Sequence, residues 1–166
     1  MKQSITFRPI SDDDEQFLYR LYASTRQEEL AMTVWTGAQK DTFLRQQFTA
    51  QHKFYIERFT QAAFDILLMN KEPIGRLYID RRAEEIRIID ISILPEHRNK
   101  GIGSSLLKNL LTEAYETAKP LRIHVEKNNP ALKLYERLGF REIEDKGVYS
   151  LMECSANLRI DTKETS

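Results

Sequence analysis

The run "IRIIDISIL" (86–94) is rich in isoleucine, stops at Pro95, and is followed from Gly101 by a segment with helical spacing. In that segment, 101–118, Ile102, Leu106, Leu107, Leu110, Leu111, Ala114 and Tyr115 fall on one face. "LRIHVE" (121–126) then reads as a second strand. Strand, helix and strand in this order form a βαβ crossover, so the two strands are expected to be parallel and their connection right-handed. This unit restricts the fold more than any other feature, because the crossover helix must lie against the sheet whose strands it joins.

The remaining periodicities build outward from it. "SITFRPI" (4–10) alternates like a short strand, and "SDDD" (11–14) suits a helix start, with acids at the positive end of the dipole. Phe17, Leu18, Leu21 and Tyr22 share a helical face, and Leu44, Phe48, Tyr55 and Phe59 mark a second helix after "TVWTGAQK". From residue 62 the period shortens: "AAFDILLM", "PIGRLYID" and "EEIRIIDISIL" read as three strands with short connections. "NPALKLYERLGF" has Pro near its start and Gly at its close, as a short helix does. "FREIED" and "VYSLME", separated by Lys146-Gly147, form a closing hairpin. The expected order is β-α-α-β-β-β-α-β-α-β-β, an α/β (α+β) mixed sheet with helices on both faces.

With 166 residues the chain is expected to form a single domain over 1–153 and a polar tail over 154–166. Lys plus Arg equals Asp plus Glu at 25 each, so no overall field favours nucleic acid or an anionic membrane. One cysteine, Cys154, permits neither an internal disulfide nor a cysteine-based zinc site. His52, His97 and His124 fall on separate elements without ligand spacing, so no metal is expected. The amino terminus lacks the apolar core of a signal peptide and no long apolar stretch occurs, so a soluble cytoplasmic protein is expected. Exposed edges in a mixed sheet leave room for a homodimer.

The junction "PEHRNKGIGSSLL" (95–107) places two glycines and two basic residues where a strand meets a helix. The first N–H groups of a helix lack intrahelical partners and carry partial positive charge, and glycines let an anion approach the backbone. A phosphate or pyrophosphate cradle and a plain chain-reversing turn both satisfy these letters. The Walker pattern G-x-x-x-x-G-K-[ST] is absent. The dinucleotide pattern G-x-G-x-x-G fails at Leu106, although Glu126 stands where its ribose-binding acid would.

"RNKGIG" resembles the R/Q-x-x-G-x-G/A motif of the GNAT superfamily of acyl-CoA-dependent N-acetyltransferases, and "ISILPEHRNKGIGSSLL" its strand, turn and pyrophosphate loop. "NNPALKLYERLGF" resembles that family's second hallmark, an Asn followed by a short helix ending in Tyr-Glu-x-x-Gly-Phe. The likeness covers roughly residues 73 to 145, and it implies a GNAT fold with acetyl-CoA as co-substrate. By this resemblance the N–H groups of Arg98, Asn99, Lys100, Gly101, Ile102, Gly103 and Ser104 bind the pyrophosphate. Ile91, Ser92 and Ile93 pair strand-like with the pantetheine arm, and Asn129 or Asn128 bonds that arm or a water.

Acetyl transfer needs a proton taken from an ammonium, a donor for the oxyanion and a proton for the departing thiolate. A thiol has a pKa of about 8.5, and a phenol at about 10 can donate to its thiolate. Tyr135 shares an inward helical face with Ala131, Leu134 and Leu138, as a core aromatic would; the resemblance implies the acid role and contact with the cofactor. Asp90 interrupts an otherwise apolar run, which fits either a base or a carboxylate paired with an arginine such as those of "RRAEEIR". His124 is the second base candidate, with a hydrogen-bonded sheet histidine as its plainer reading; Glu85 is the third, and ordered water the fourth. A backbone N–H of 91–93 is the expected oxyanion donor.

Acceptor selection is assigned to residues 11–60, where Glu28, Glu29 and Trp35 could meet a cationic amine or be ordinary surface acids and a packed indole. The expected function is transfer of acetyl to a primary amine, small molecule or peptide, by direct attack in a ternary complex. The alternatives are a non-catalytic acyl-CoA-binding module and a nucleotide-binding domain that uses Glu126.

Overall fold

The structure is a computed structural model that describes residues 4–155. Its elements run β1 (Ile5–Pro9), α1 (Glu15–Thr25), α2 (Gln27–Ala31), α3 (Gly37–Arg58), β2 (Ala63–Met69), β3 (Glu72–Arg81) and β4 (Ile86–Ile93). There follow α4 (Ile102–Glu116), β5 (Leu121–Glu126), α5 (Leu132–Arg137), β6 (Arg141–Lys146) and β7 (Tyr149–Cys154). Among the described residues the strands form one seven-stranded mixed sheet in the order β1-β2-β3-β4-β5-β7-β6. The expected order of strands and α-helices stands, with one addition: the short α2 lies between the two helices expected there. The part of the tail beyond Ser155 lies outside the described residues.

The described chain divides into two compact units. The first takes the chain up to Tyr78 together with Asp90–Arg98. In it β1 pairs antiparallel with β2, from Ile5 opposite Met69 to Pro9 opposite Asp65. Of the acids read as a helix start, Asp14 is fixed by a bidentate pair, Arg8 donating to both its oxygens at 2.8 Å, while the Ser11 N–H donates to Asp14 at 2.8 Å. Thr36 caps α3: its hydroxyl accepts the Gln39 N–H at 3.1 Å, and the Gln39 side chain accepts the Thr36 N–H at 2.8 Å. The helical spacing of the apolar residues then delivers Leu18, Tyr22, Leu30, Leu44 and Phe48 to one core with Ile66 of β2.

The second unit takes Ile79–Ile89 and the chain from Asn99 on. Here β4 and β5 are parallel, with Ile86, Arg87 and Ile88 opposite Leu121, Arg122 and Ile123, as the crossover demands. β5 pairs antiparallel with β7 and β7 with β6, where a register shift falls between Glu142 and Glu144. The alternation of β5 buries Leu121, Ile123 and Val125, and α4 buries Leu106, Leu107, Leu110, Leu111 and Ala114. The hairpin expected at Lys146-Gly147 is present, with Gly147 at φ +83°.

Candidate functional site

In the second unit, the glycine junction is a left-handed turn that runs directly into α4. Asn99 (φ +61°) and Gly101 (φ +80°) take conformations open to few L-residues, in the kind of turn where successive N–H groups converge. Gly101 is the N-cap of the 15-residue α4 and provides no side-chain cap, and intrahelical bonding begins with Ser105 N–H to Gly101 O at 3.0 Å. A Cβ built on Gly101 would meet nothing within 4 Å, so its φ requires glycine and the space above it is open. An exposed Lys100 lies between the two left-handed residues. Ile102, Gly103 and Ser104 form the half-buried first turn of the helix. These N–H groups suit a pyrophosphate, whose oxygens accept hydrogen bonds and carry negative charge.

In the first unit, the guanidinium of Arg98 turns back onto the end of β4, donating from Nε to Ile93 O at 2.8 Å and from Nη2 to Ser24 Oγ at 3.2 Å. Ile91, Ser92 and Ile93 are half-buried. Leu94 N–H donates to Ile74 O at 2.8 Å, and beside that contact Gly75 is closely covered: a Cβ there would stand 2.3 Å from Ser92 O.

Asp90 sits in a dense polar cluster. Arg76, 2% exposed, donates from Nη2 to Asp90 Oδ2 at 2.7 Å and to Gln51 Oε1 at 2.8 Å. Ser92 Oγ donates to Asp90 Oδ1 at 2.6 Å, and Tyr55 OH to Oδ2 at 3.4 Å. Burial opposes the Arg76 charge most strongly, yet Asp90 together with Tyr78 and Tyr55 outweighs it and holds the guanidinium pKa above the usual arginine value. Arg76 also stacks near Tyr78 and Tyr55, 4.8 and 5.9 Å from their ring centroids. The pairing reading of Asp90 therefore has its arginine, from β3 and not from "RRAEEIR".

Two arginines of that stretch, Arg82 and Arg87, serve the other two base candidates in the second unit. Glu85 is buried among Arg122 at 2.7 Å, Arg87 at 2.9 Å and Arg82 at 3.2 Å. Arg87 Nη1 lies 3.3 Å from Nδ1 of His124. An arginine only donates, so Nδ1 accepts and a neutral His124 carries its proton on Nε2. Partial burial, then the charges of Arg87 and Lys146, lower the imidazole pKa. All three titratable base candidates are thus held by arginines.

Asn129 organises the approach to α5: its Oδ1 accepts Ala131 N–H at 2.8 Å and its carbonyl accepts Leu132 N–H at 3.0 Å, while Asn128 is exposed. Tyr135, 4% exposed, stands edge-on to Phe140 at 5.7 Å. Of the residues assigned to the acceptor, Glu28 is exposed, Glu29 pairs with Arg26 at 3.2 Å, and Trp35 packs on Phe43 at 5.1 Å. Among the described residues no group of three or more His, Cys, Asp or Glu could hold a metal ion, and no helix is long and apolar enough to cross a membrane. The residue missed by sequence reasoning is Arg76; its signal was an arginine inside the apolar strand "PIGRLYID", directly after a glycine.

A family model, the acetyltransferase (GNAT) family, matches residues 16–140. A ribosomal protein bS18-alanine N-acetyltransferase of Haemophilus influenzae is 31% identical over 84 residues, covering 50% of this chain and 58% of that protein. An N-alpha-acetyltransferase of Sulfurisphaera tokodaii is 28% identical over 109 residues, covering 54% of this chain and 64% of that protein. The chain thus spans less than two thirds of the length of these relatives. Among solved structures, the PaiA N-acetyltransferase of Thermoplasma acidophilum in complex with coenzyme A superposes with a TM-score of 0.68 at 18% identity, covering 92% of this chain and 99% of that one. A GNAT acetyltransferase of Elizabethkingia anophelis with acetyl-CoA bound gives 0.58 at 20% identity, covering 93% and 99%. At such identities the likeness concerns the fold.

Proposed function

The chain belongs to the GNAT acetyltransferase family, and on that premise we propose that it transfers acetyl from acetyl-CoA to a primary amine by direct attack in a ternary complex. The observation that carries the reading is the uncapped start of α4, where Asn99 and Gly101 turn left-handed beneath open space. The co-substrate supplies an activated acetyl thioester. The N–H groups of 98–104 hold its pyrophosphate, and the backbone of Ile91–Ile93 aligns the acyl arm and donates to the carbonyl oxygen as charge develops there. Tyr135 gives its phenolic proton toward the departing thiolate, with Asn129 or Asn128 near the arm.

Proton removal from the amine is assigned to water, because Asp90, Glu85 and His124 are each engaged by arginine. That engagement also favours a second reading, a module that binds acyl-CoA without turnover. Two of the relatives bear names that specify protein or N-alpha acetylation, so peptides with a free amino terminus come first among acceptors to try.

Calorimetric titration with acetyl-CoA, CoA, NAD and ATP, repeated on Gly103→Trp, tests the reading. Saturable binding of acetyl-CoA and CoA alone, lost in the variant, is expected. Binding of NAD or ATP with silence toward CoA would overturn it. Binding without turnover on any amine of a broad panel would select the second reading.

A further inference from the structure

We propose that Arg76 is a positioning residue for acyl-CoA binding, acting through a strut that runs Arg76–Asp90–Ser92; this rests on the acetyltransferase reading above. The strut lies wholly within the first unit. Arg76 Nη2 donates to Asp90 Oδ2 at 2.7 Å, and Asp90 Oδ1 accepts a hydrogen bond from the Ser92 hydroxyl at 2.6 Å, in the middle of the segment assigned to the acyl arm. Gln51 Oε1, at 2.8 Å from the same Nη2, ties the strut to α3.

The geometry exceeds what packing alone requires. A buried ion pair is often replaceable by apolar groups without loss of stability, so its presence here calls for another explanation. The segment it reaches is pinned at successive positions: Asp90 by Arg76, the Ser92 hydroxyl by Asp90, Ile93 O by Arg98 and Leu94 N–H by Ile74. Gly75, the residue before Arg76, lets the Ser92 carbonyl come within 2.3 Å of where a Cβ would stand. The guanidinium is itself immobilised, 2% exposed and flanked by the rings of Tyr78 and Tyr55. A binding strand gains affinity when its backbone is ordered beforehand, because that ordering is not then charged against binding. Arg76 supplies this order from beneath, without touching the ligand.

The test separates order from stability. Arg76→Met strands the Asp90 charge and is expected to lower both Tm and acetyl-CoA affinity. Arg76→Met with Asp90→Val removes both charges and is expected to restore Tm toward wild type. Its Kd for acetyl-CoA, measured by calorimetry, stays raised by about tenfold, the worth of one hydrogen bond to a charged group. Ser92→Ala removes one hydroxyl and no charge; it should lower Tm less than Arg76→Met does and weaken acetyl-CoA binding severalfold. That variant decides the matter where the Arg76 variants do not fold. Wild-type affinity in the stable double variant, or in Ser92→Ala, would overturn the proposal. A wild-type protein that does not bind acetyl-CoA at all would instead overturn the reading of the site, and the inference with it.

Discussion

At the level of single residues, the proposed acid Tyr135 and the arginine-held base candidates call for different tests. Tyr135 is 4% exposed and packs edge-on to Phe140, so removing only its hydroxyl leaves the ring contact intact. Tyr135→Phe should lower kcat by about ten- to ten-thousandfold, spanning general-acid contributions and a milder outcome. Steady-state kinetics on an amine that turns over measures this, and full retention of kcat would remove Tyr135 from the mechanism. The base candidates are each held by arginine: Asp90 by Arg76, Glu85 by Arg82, Arg87 and Arg122, and His124 by Arg87. Sequence reasoning named all three titratable groups and weighed an arginine partner for Asp90, but not Arg76. The eventual partner stood 14 residues back along the chain, and a strand pattern does not reveal which strand's side chains will meet.

At the scale of elements, β3 and the end of β4 approach more closely than side chains permit. A Cβ on Gly75 would stand 2.3 Å from Ser92 O and 3.1 Å from Ile93 Cα, both backbone atoms that cannot rotate aside. Gly75→Ala should therefore destabilise the protein by about 1–3 kcal/mol, the usual cost of overpacking, read from the urea midpoint at unchanged m-value. A wild-type midpoint would mean that the strands separate there without cost. Helix positions were legible because each carries local punctuation. Thr36 and Gln39 close the reciprocal cap of α3, and Asn129 caps the turn before α5. The short α2 was not legible, since five residues give too little periodicity to separate a helical turn from a loop.

Across the whole molecule, stability should depend on pH through two histidines. Burial, then the Arg76 charge, lowers the His52 pKa, and burial with Arg87 lowers that of His124. Below the ordinary imidazole value of about 6.5, the unfolded chain binds more protons than the folded one, so stability rises with pH across that window. The contribution is complete above the unfolded value and is lost as pH falls through the folded ones. Urea midpoints should decline from about pH 7.5 to about pH 5, and less so in His52→Gln with His124→Gln; an equal decline in that variant would refute this origin. The parallel crossover, the glycine junction ahead of α4, the order of the strands along the chain and the GNAT resemblance were all legible in the letters alone. Period, turn chemistry and motif spacing are local properties that survive without a tertiary context. Tertiary structure alone decided that β7 lies between β5 and β6, that Arg76 holds Asp90, and that Arg98 braces Ile93 and Ser24. Each of these depends on which hydrogen-bonding groups meet once the core has closed, and no periodicity of the chain encodes that.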